Sequence, residues 1–118
     1  MINLEHLRTS YQLAKPFPHV VINDLIPKKK AQECLAEMKK FELWGCDGNE
    51  YVKTKQVEKF FIPWCEDSLV DIQEHMPIVW ECLQYFNSQP FLTELEHLTG
   101  IKNLIADDTY SGGGVHKT

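Results

Sequence analysis

The sequence has little positive charge and no long apolar segment. Twelve Lys and Arg residues are outnumbered by seventeen Asp and Glu, which gives a formal net charge of −5 at pH 7. Nucleic-acid binding draws most of its affinity from a basic surface, so this charge disfavours a nucleic-acid partner. No apolar run approaches the roughly 20 residues that span a membrane. Residues 1–15 mix Glu5, Arg8 and Lys15 with apolar residues, unlike a signal peptide, so we expect a cytoplasmic protein without a membrane partner.

Cysteine patterns that would indicate a metal site or a disulfide framework are also missing. The four cysteines are irregularly spaced, and the sequence contains no Cys-x-x-Cys pair. Cys34 and Cys82 fall on the apolar faces of predicted helices, where a thiol behaves as a small hydrophobic group. A zinc ligand or a catalytic thiol is the alternative, but no ligand spacing supports either. We therefore expect structural thiols.

The histidines lack the acidic neighbours that a mononuclear iron site of the facial-triad type requires. Such a site needs two His and one carboxylate, commonly as His-x-Asp or His-x-Glu plus a distant His. The residues two positions after the five histidines are Arg8, Val21, Pro77, Thr99 and Thr118. None is acidic, and neither His-Glu-x-x-His nor Gly-x-Ser-x-Gly occurs. From its own residues, the chain is predicted to hold no metal and to carry no nucleophilic triad.

Apolar residues at three- and four-residue spacing predict amphipathic helices. The first runs from Pro27 to about Glu42, and Pro27 suits its first turn because a proline there loses no hydrogen bond. Further helices are predicted over residues 66–76, which Pro77 interrupts, and after that proline. For the last helix, Ser88 is the predicted N-cap and Gly100 the left-handed C-cap. Five apolar side chains of these stripes are expected to be largely buried: Leu35, Met38, Leu83, Phe86 and Leu95.

Three shorter segments predict strands. Residues 19–22 form a β-branched run, residues 51–57 follow a turn-rich segment, and residues 104–106 form a second apolar run. We expect Val20, Ile22, Leu104 and Ile105 to join the helices in one core. The order of helices and strands is an α+β pattern within one domain of 118 residues.

A run of three glycines, residues 112–114, is the most unusual feature of the sequence. A phosphate-binding loop is one reading, because glycine lets backbone N–H groups approach an anion. No Gly-Lys-Ser/Thr follows it, however, and no helix can begin in the few residues after it. A glycine bulge or turn between strands is the better interpretation.

Taken together, five segments resemble the prolyl-4-hydroxylase-like family of iron(II)- and 2-oxoglutarate-dependent dioxygenases. Pro-Phe-Pro-His-Val-Val-Ile-Asn-Asp-Leu-Ile-Pro at 16–27 resembles that family's opening strand and helix start. Phe-Asn-Ser-Gln-Pro-Phe at 86–91 and Leu-Glu-His-Leu-Thr-Gly-Ile at 95–101 are similar to the helix before its catalytic barrel. Asn-Leu-Ile-Ala-Asp-Asp at 103–108 and Gly-Gly-Gly-Val-His at 112–116 resemble the lead-in to the first barrel strands.

The resemblance implies a helical support layer with the first strands of a double-stranded β-helix, the jelly-roll barrel that holds Fe(II) and 2-oxoglutarate in this family. The family's His-x-Asp pair would follow His116, and its ligands are missing from these 118 residues. The resemblance therefore implies an inactive N-terminal portion with no bound cofactor. Tyr110 and His116 are the candidate cofactor-pocket residues. A small α+β interaction module derived from that fold is the alternative.

The resemblance also bears on partners. The complete enzyme would act on a peptide, an amino acid or another small molecule. If the neighbouring barrel strands are missing, residues 104–118 would present unpaired backbone groups. Such an edge invites pairing with another chain, so we expect β-edge self-association through residues 104–118.

Overall fold

In a computed structural model, the structure describes residues 2–41, 60–63, 72–108 and 114–117. Helices dominate this part of the chain. After a 3-10 turn at Glu5–Leu7 come α1 (Arg8–Leu13), α2 (Lys28–Lys40), α3 (Pro77–Phe86) and α4 (Gln89–Thr99). Two short strands, β1 (Phe60–Pro63) and β2 (Gly114–Lys117), are also present. Within the described ranges, no helix is both long and apolar enough to cross a membrane.

The chain divides into two compact units, and the first comprises Met1–Gln32 and Glu81–Ala106. In this unit the 3-10 turn and α1 pack against α4. The backbone N–H of Leu4 donates to Glu94 Oε2 on α4 at 2.8 Å, and the Leu4 side chain is almost fully buried. Phe91 and Leu98, both on α4, are the other buried apolar residues of this unit. The N-terminal residues are thus anchored to α4 by a hydrogen bond and by burial.

The second unit comprises Glu33–Trp80 and Asp107–Thr118. Among its described residues, the buried apolar side chains are those of Cys34, Phe41, Ile72, Met76 and Val79. It also contains the antiparallel pair of β1 and β2, whose register places Phe61 opposite His116 and Ile62 opposite Val115. A two-stranded ladder alone is marginally stable in water, so the helical side chains supply most of the described core of this unit.

The helix predictions are confirmed for α2, α3 and α4. The helix α2 begins at Lys28, and the Pro27 carbonyl accepts the Ala31 N–H at 2.9 Å. Residues 72–75 are helical, the helix breaks at Met76, and α3 begins at Pro77. This break follows from proline, which disfavours helical backbone in the residue before it. The rest of the predicted helix at 66–76 lies outside the described residues, as does the predicted strand at 51–57.

The predicted fold class, an α+β fold with the first strands of a double-stranded β-helix, is wrong. Residues 19–22 and 104–106 are irregular, and the described part is mainly helical. A β-branched run becomes a strand only where a neighbour completes its ladder. Near the second run, Asn103 has a left-handed backbone with φ of 60°, and the Leu104 N–H donates to Glu96 Oε1 at 2.9 Å. That N–H is therefore used by a helix side chain.

The burial prediction is wrong for Leu35 of the helix stripes and for Ile105 of the second apolar run. Leu35 is 49% exposed, and Met38, Leu83, Phe86 and Leu95 are half-buried. Ile105 is 86% exposed, although Val20, Ile22 and Leu104 are half-buried. Helical spacing identifies which face is apolar, but the depth of burial depends on what covers that face.

Candidate functional site

Of the two cofactor-pocket residues proposed from the resemblance, the structure describes only the backbone of His116. Tyr110 lies outside the described residues. His116 lies in β2, where its backbone is opposite Phe61 of β1. The strand that contains His116 therefore has a neighbour within the chain, which the sequence did not indicate. Pairing with β1 occupies one edge of β2, and self-association through residues 104–118 stays a prediction.

The described structure contains a cleft in the first unit, with a volume of about 470 Å³. It lies beside the turn that precedes α2, the first turn of α2, and the C-terminal half of α3. Apolar side chains form most of its wall, with two acidic residues, one lysine and one tyrosine among them. The lining residues are Ile2, Asp24, Leu25, Ile26, Pro27, Lys30, Glu81, Cys82, Tyr85 and Phe86.

Three charged side chains line this cleft. Lys30 Nζ and Glu81 Oε1 form an ion pair at 3.1 Å, in which the Lys30 side chain is the less exposed partner. Asp24 is exposed, and no hydrogen bond or ion pair joins its side chain to another described residue. Two carboxylates and one ammonium give the lining a formal charge of −1. The cleft therefore has a negative balance, and Asp24 is its acidic group without a described partner.

The Asp24 backbone has a left-handed conformation, with φ of 57°. Few residues other than glycine adopt this region, although Asp and Asn tolerate it better than most because their short side chains bond locally. Asn23 and Asp24 form a turn in the structure. This turn ends the segment at 19–22 and places Asp24 on the cleft wall, immediately before Leu25, Ile26 and Pro27.

An aromatic cluster supports the opposite wall. Tyr85 and Phe86 lie at the end of α3, and each ring packs against Phe91 of α4, with centroid distances of 5.5 and 5.0 Å. The Ser88 hydroxyl donates to the Tyr85 carbonyl oxygen, which fixes the turn between the two helices. Phe91 is buried. The two lining aromatics are consequently held by a buried neighbour and by a tight helix–helix connection.

A separate carboxylate, that of Glu37 in the second unit, binds the start of α3. Its oxygens accept the Ile78 N–H at 3.1 and 3.0 Å and the Val79 N–H at 3.0 Å. Pro77 has no N–H, and the Trp80 N–H donates to the Met76 carbonyl. The N-terminal donors of α3 are thus satisfied within the protein, so Glu37 has a structural role.

The iron centre implied by the resemblance does not fit the residues that the structure describes. Across those ranges, no three His, Cys, Asp or Glu side chains lie close enough to hold a metal ion. Cys34 and Cys82 are thiols; the first is buried, and the second is half-buried on the cleft wall. Their placement on helix faces agrees with the structural role expected from the sequence.

The residue pattern does not indicate the cleft. The Asn23-Asp24 pair directly after the apolar run at 19–22 is typical of a turn, and this is the one sequence signal at Asp24. Tyr85 gives no signal by spacing. Tyr85 and Asp24 are about 60 positions apart in the sequence, and they line one cleft only because the chain folds.

Comparisons with known proteins found no relative. No protein-family model matches the chain, and neither the curated proteins nor the solved structures contain a significant match. The family resemblance therefore rests on the sequence segments quoted for it.

Proposed function

We propose that this chain is the non-catalytic, helical N-terminal portion of an iron(II)- and 2-oxoglutarate-dependent oxygenase of the prolyl-4-hydroxylase-like group. In this proposal the iron ligands belong to sequence other than these 118 residues, and this portion supports the catalytic part. The substrate class is a peptide, an amino acid or another small molecule, and the proposed compartment is the cytoplasm. When bound, iron and 2-oxoglutarate would supply the oxidising chemistry.

The observation that carries the proposal is the well-defined end of α4, where the resemblance is most specific. Gly100 has a left-handed backbone with φ of 79°, and its N–H donates to the Glu96 carbonyl at 2.9 Å. The Ile101 N–H donates to Thr99 Oγ1 at 3.1 Å. The positive φ is what favours glycine here, because a Cβ would lie 2.9 Å from only the end of the flexible Arg8 side chain, which can move aside.

Beyond this cap, Glu96 holds the following segment. Its side chain accepts the Leu104 N–H at 2.9 Å, eight residues further along the chain. Residues 101–104 therefore leave α4 in a fixed direction. This is the segment that resembles the lead-in to the family's catalytic part.

The reading frame downstream of Thr118 provides the test. We expect it to encode a His-x-Asp pair within a few tens of residues and a later histidine, and the longer product to form succinate from 2-oxoglutarate with Fe(II). The 118-residue chain alone should form no succinate under the same conditions. Succinate formation by the short chain would contradict the proposal, as would a stop codon directly after Thr118 in the gene.

A second candidate function is an interaction module without catalysis. The observation that favours it is the exposure of large apolar side chains in the first unit: Leu13 at 72%, Phe17 at 62%, Val21 at 80% and Ile105 at 86%. Such residues mark a protein-binding surface where they form one contiguous patch. A stop codon after Thr118 would favour this function, whereas a downstream His-x-Asp pair would favour the oxygenase.

A further inference from the structure

We propose that the cleft of the first unit binds a small organic cation with an apolar body. In this arrangement the Asp24 carboxylate holds the charged group, and the faces of Tyr85 and Phe86 hold the apolar body. The site does not depend on the proposed oxygenase function, because none of its residues is an iron ligand or a cofactor-pocket residue in that proposal.

The size and the lining of the cleft fit a small ligand. Its volume of about 470 Å³ lies within the range of about 300–1,000 Å³ typical of small-molecule sites. Leu25, Ile26 and Pro27 on one side and Phe86 on the other provide apolar surface. Sites of this kind combine an apolar wall with a few polar groups that orient the ligand. The cleft has this composition, since its charged groups are confined to three residues.

The charges of the lining select the sign of the ligand. Lys30 is engaged by Glu81 at 3.1 Å, which leaves Asp24 as the carboxylate that no described residue neutralises. A cationic group beside Asp24 would bring the formal charge of the lining to zero, whereas an anion would raise the negative charge to −2. Aromatic faces also attract cations through the ring quadrupole, which adds to the preference.

The geometry of Asp24 makes a clean test possible. Its left-handed backbone is tolerated by Asn nearly as well as by Asp, so Asp24→Asn removes the charge and keeps the turn. Glu5→Gln is the matched control. Glu5 is an exposed acidic residue of the same unit that does not line the cleft, and its substitution changes the net charge by the same amount.

The experiment compares three probes of nearly equal size with the 118-residue chain. These are 2-phenylethylamine, which is a cation at pH 7, 2-phenylethanol, which is neutral, and phenylacetate, which is an anion. Binding is measured by NMR titration of the 15N-labelled chain. We expect the amine to bind about fivefold more tightly than the alcohol, as for one exposed ion pair, with shifts at Leu25, Cys82 and Phe86.

The variants decide whether Asp24 is responsible. Asp24→Asn should lower the affinity for the amine to that for the alcohol, and Glu5→Gln should leave it within about twofold. The preference for the amine should also shrink as salt is raised, because the carboxylate is exposed. Equal binding of all three probes, tighter binding of phenylacetate, an unchanged affinity in Asp24→Asn, or no binding by any probe would each overturn the proposal.

Discussion

Individual side chains differ greatly in how much of the structure depends on them. Ile72 and Met76 are the largest fully buried side chains among the described residues. Ile72 is the first of the helical residues 72–75, and Met76 is the break between them and α3. Leu35, which is of comparable size, is 49% exposed on α2. All three side chains are apolar and of similar size. Their contributions to stability differ because the surrounding chain covers Ile72 and Met76 but leaves Leu35 half in solvent.

At this scale, we expect Met76→Ala to lower the free energy of unfolding by about 2–5 kcal/mol, because it leaves a cavity in a fully buried position. Leu35→Ala should change it by no more than about 0.5 kcal/mol, since the side chain is half in solvent and alanine favours the helix. Urea unfolding followed by circular dichroism measures both. Equal losses for the two variants would contradict the burial assignment.

At the scale of the elements, the start of α3 depends on a residue from another helix. The first N–H groups of a helix have no partner inside it, and a side chain just before the helix usually accepts one of them. Here the chain before α3 provides Met76, which has no side-chain acceptor of that strength. Glu37 of α2 accepts two N–H groups instead, and its negative charge also favours this end of the helix dipole.

Accordingly, Glu37→Ala should lower the free energy of unfolding by about 1–2 kcal/mol, because two half-buried donors lose a charged acceptor. Glu37→Gln should cost less, since its amide oxygen can still accept one N–H. The matched control is Glu74→Gln, which removes an exposed carboxylate of the same unit and should change stability by less than about 0.5 kcal/mol. Urea unfolding of the three variants gives the comparison. Similar losses for Glu37→Ala and Glu74→Gln would show that the contact is dispensable.

At the scale of the whole molecule, residues 104–118 are the segment through which the chain is predicted to associate with a second copy. The strand β2 is paired with β1 on one side, and the segment at 104–106 has no ladder partner within the described residues. Its most exposed side chain is that of Ile105. The Leu104 N–H is bonded to Glu96, but an apolar segment without a ladder partner is still a site where chains associate through their edges.

We therefore expect the chain to self-associate as its concentration is raised, and Ile105→Lys to weaken that association, because a lysine on an edge opposes strand pairing. Ser10→Lys is the control, since it places the same charge at an exposed polar position of α1, outside residues 104–118. Sedimentation equilibrium at several concentrations measures the association. A wild-type chain that stays monomeric throughout, or equal effects of both lysines, would contradict the prediction.

The sequence by itself determined the three longer helices and the approximate positions of their ends. The spacing of apolar residues identified α2, α3 and α4, and Pro27, Pro77 and Gly100 marked boundaries, because proline and glycine restrict or release the backbone locally. These signals act within a few residues, so no knowledge of the rest of the chain is required.

Only the tertiary structure decided the strands, the depth of burial and the cleft. Residues 19–22 have strand-type side chains, but a strand exists only when a distant segment completes its hydrogen bonds, as β1 does for β2. Glu37, about 40 residues away in the sequence, accepts the first N–H groups of α3. Asp24 and Tyr85, about 60 residues apart, line the same cleft. Such contacts depend on how the whole chain closes on itself, which local residue patterns do not encode.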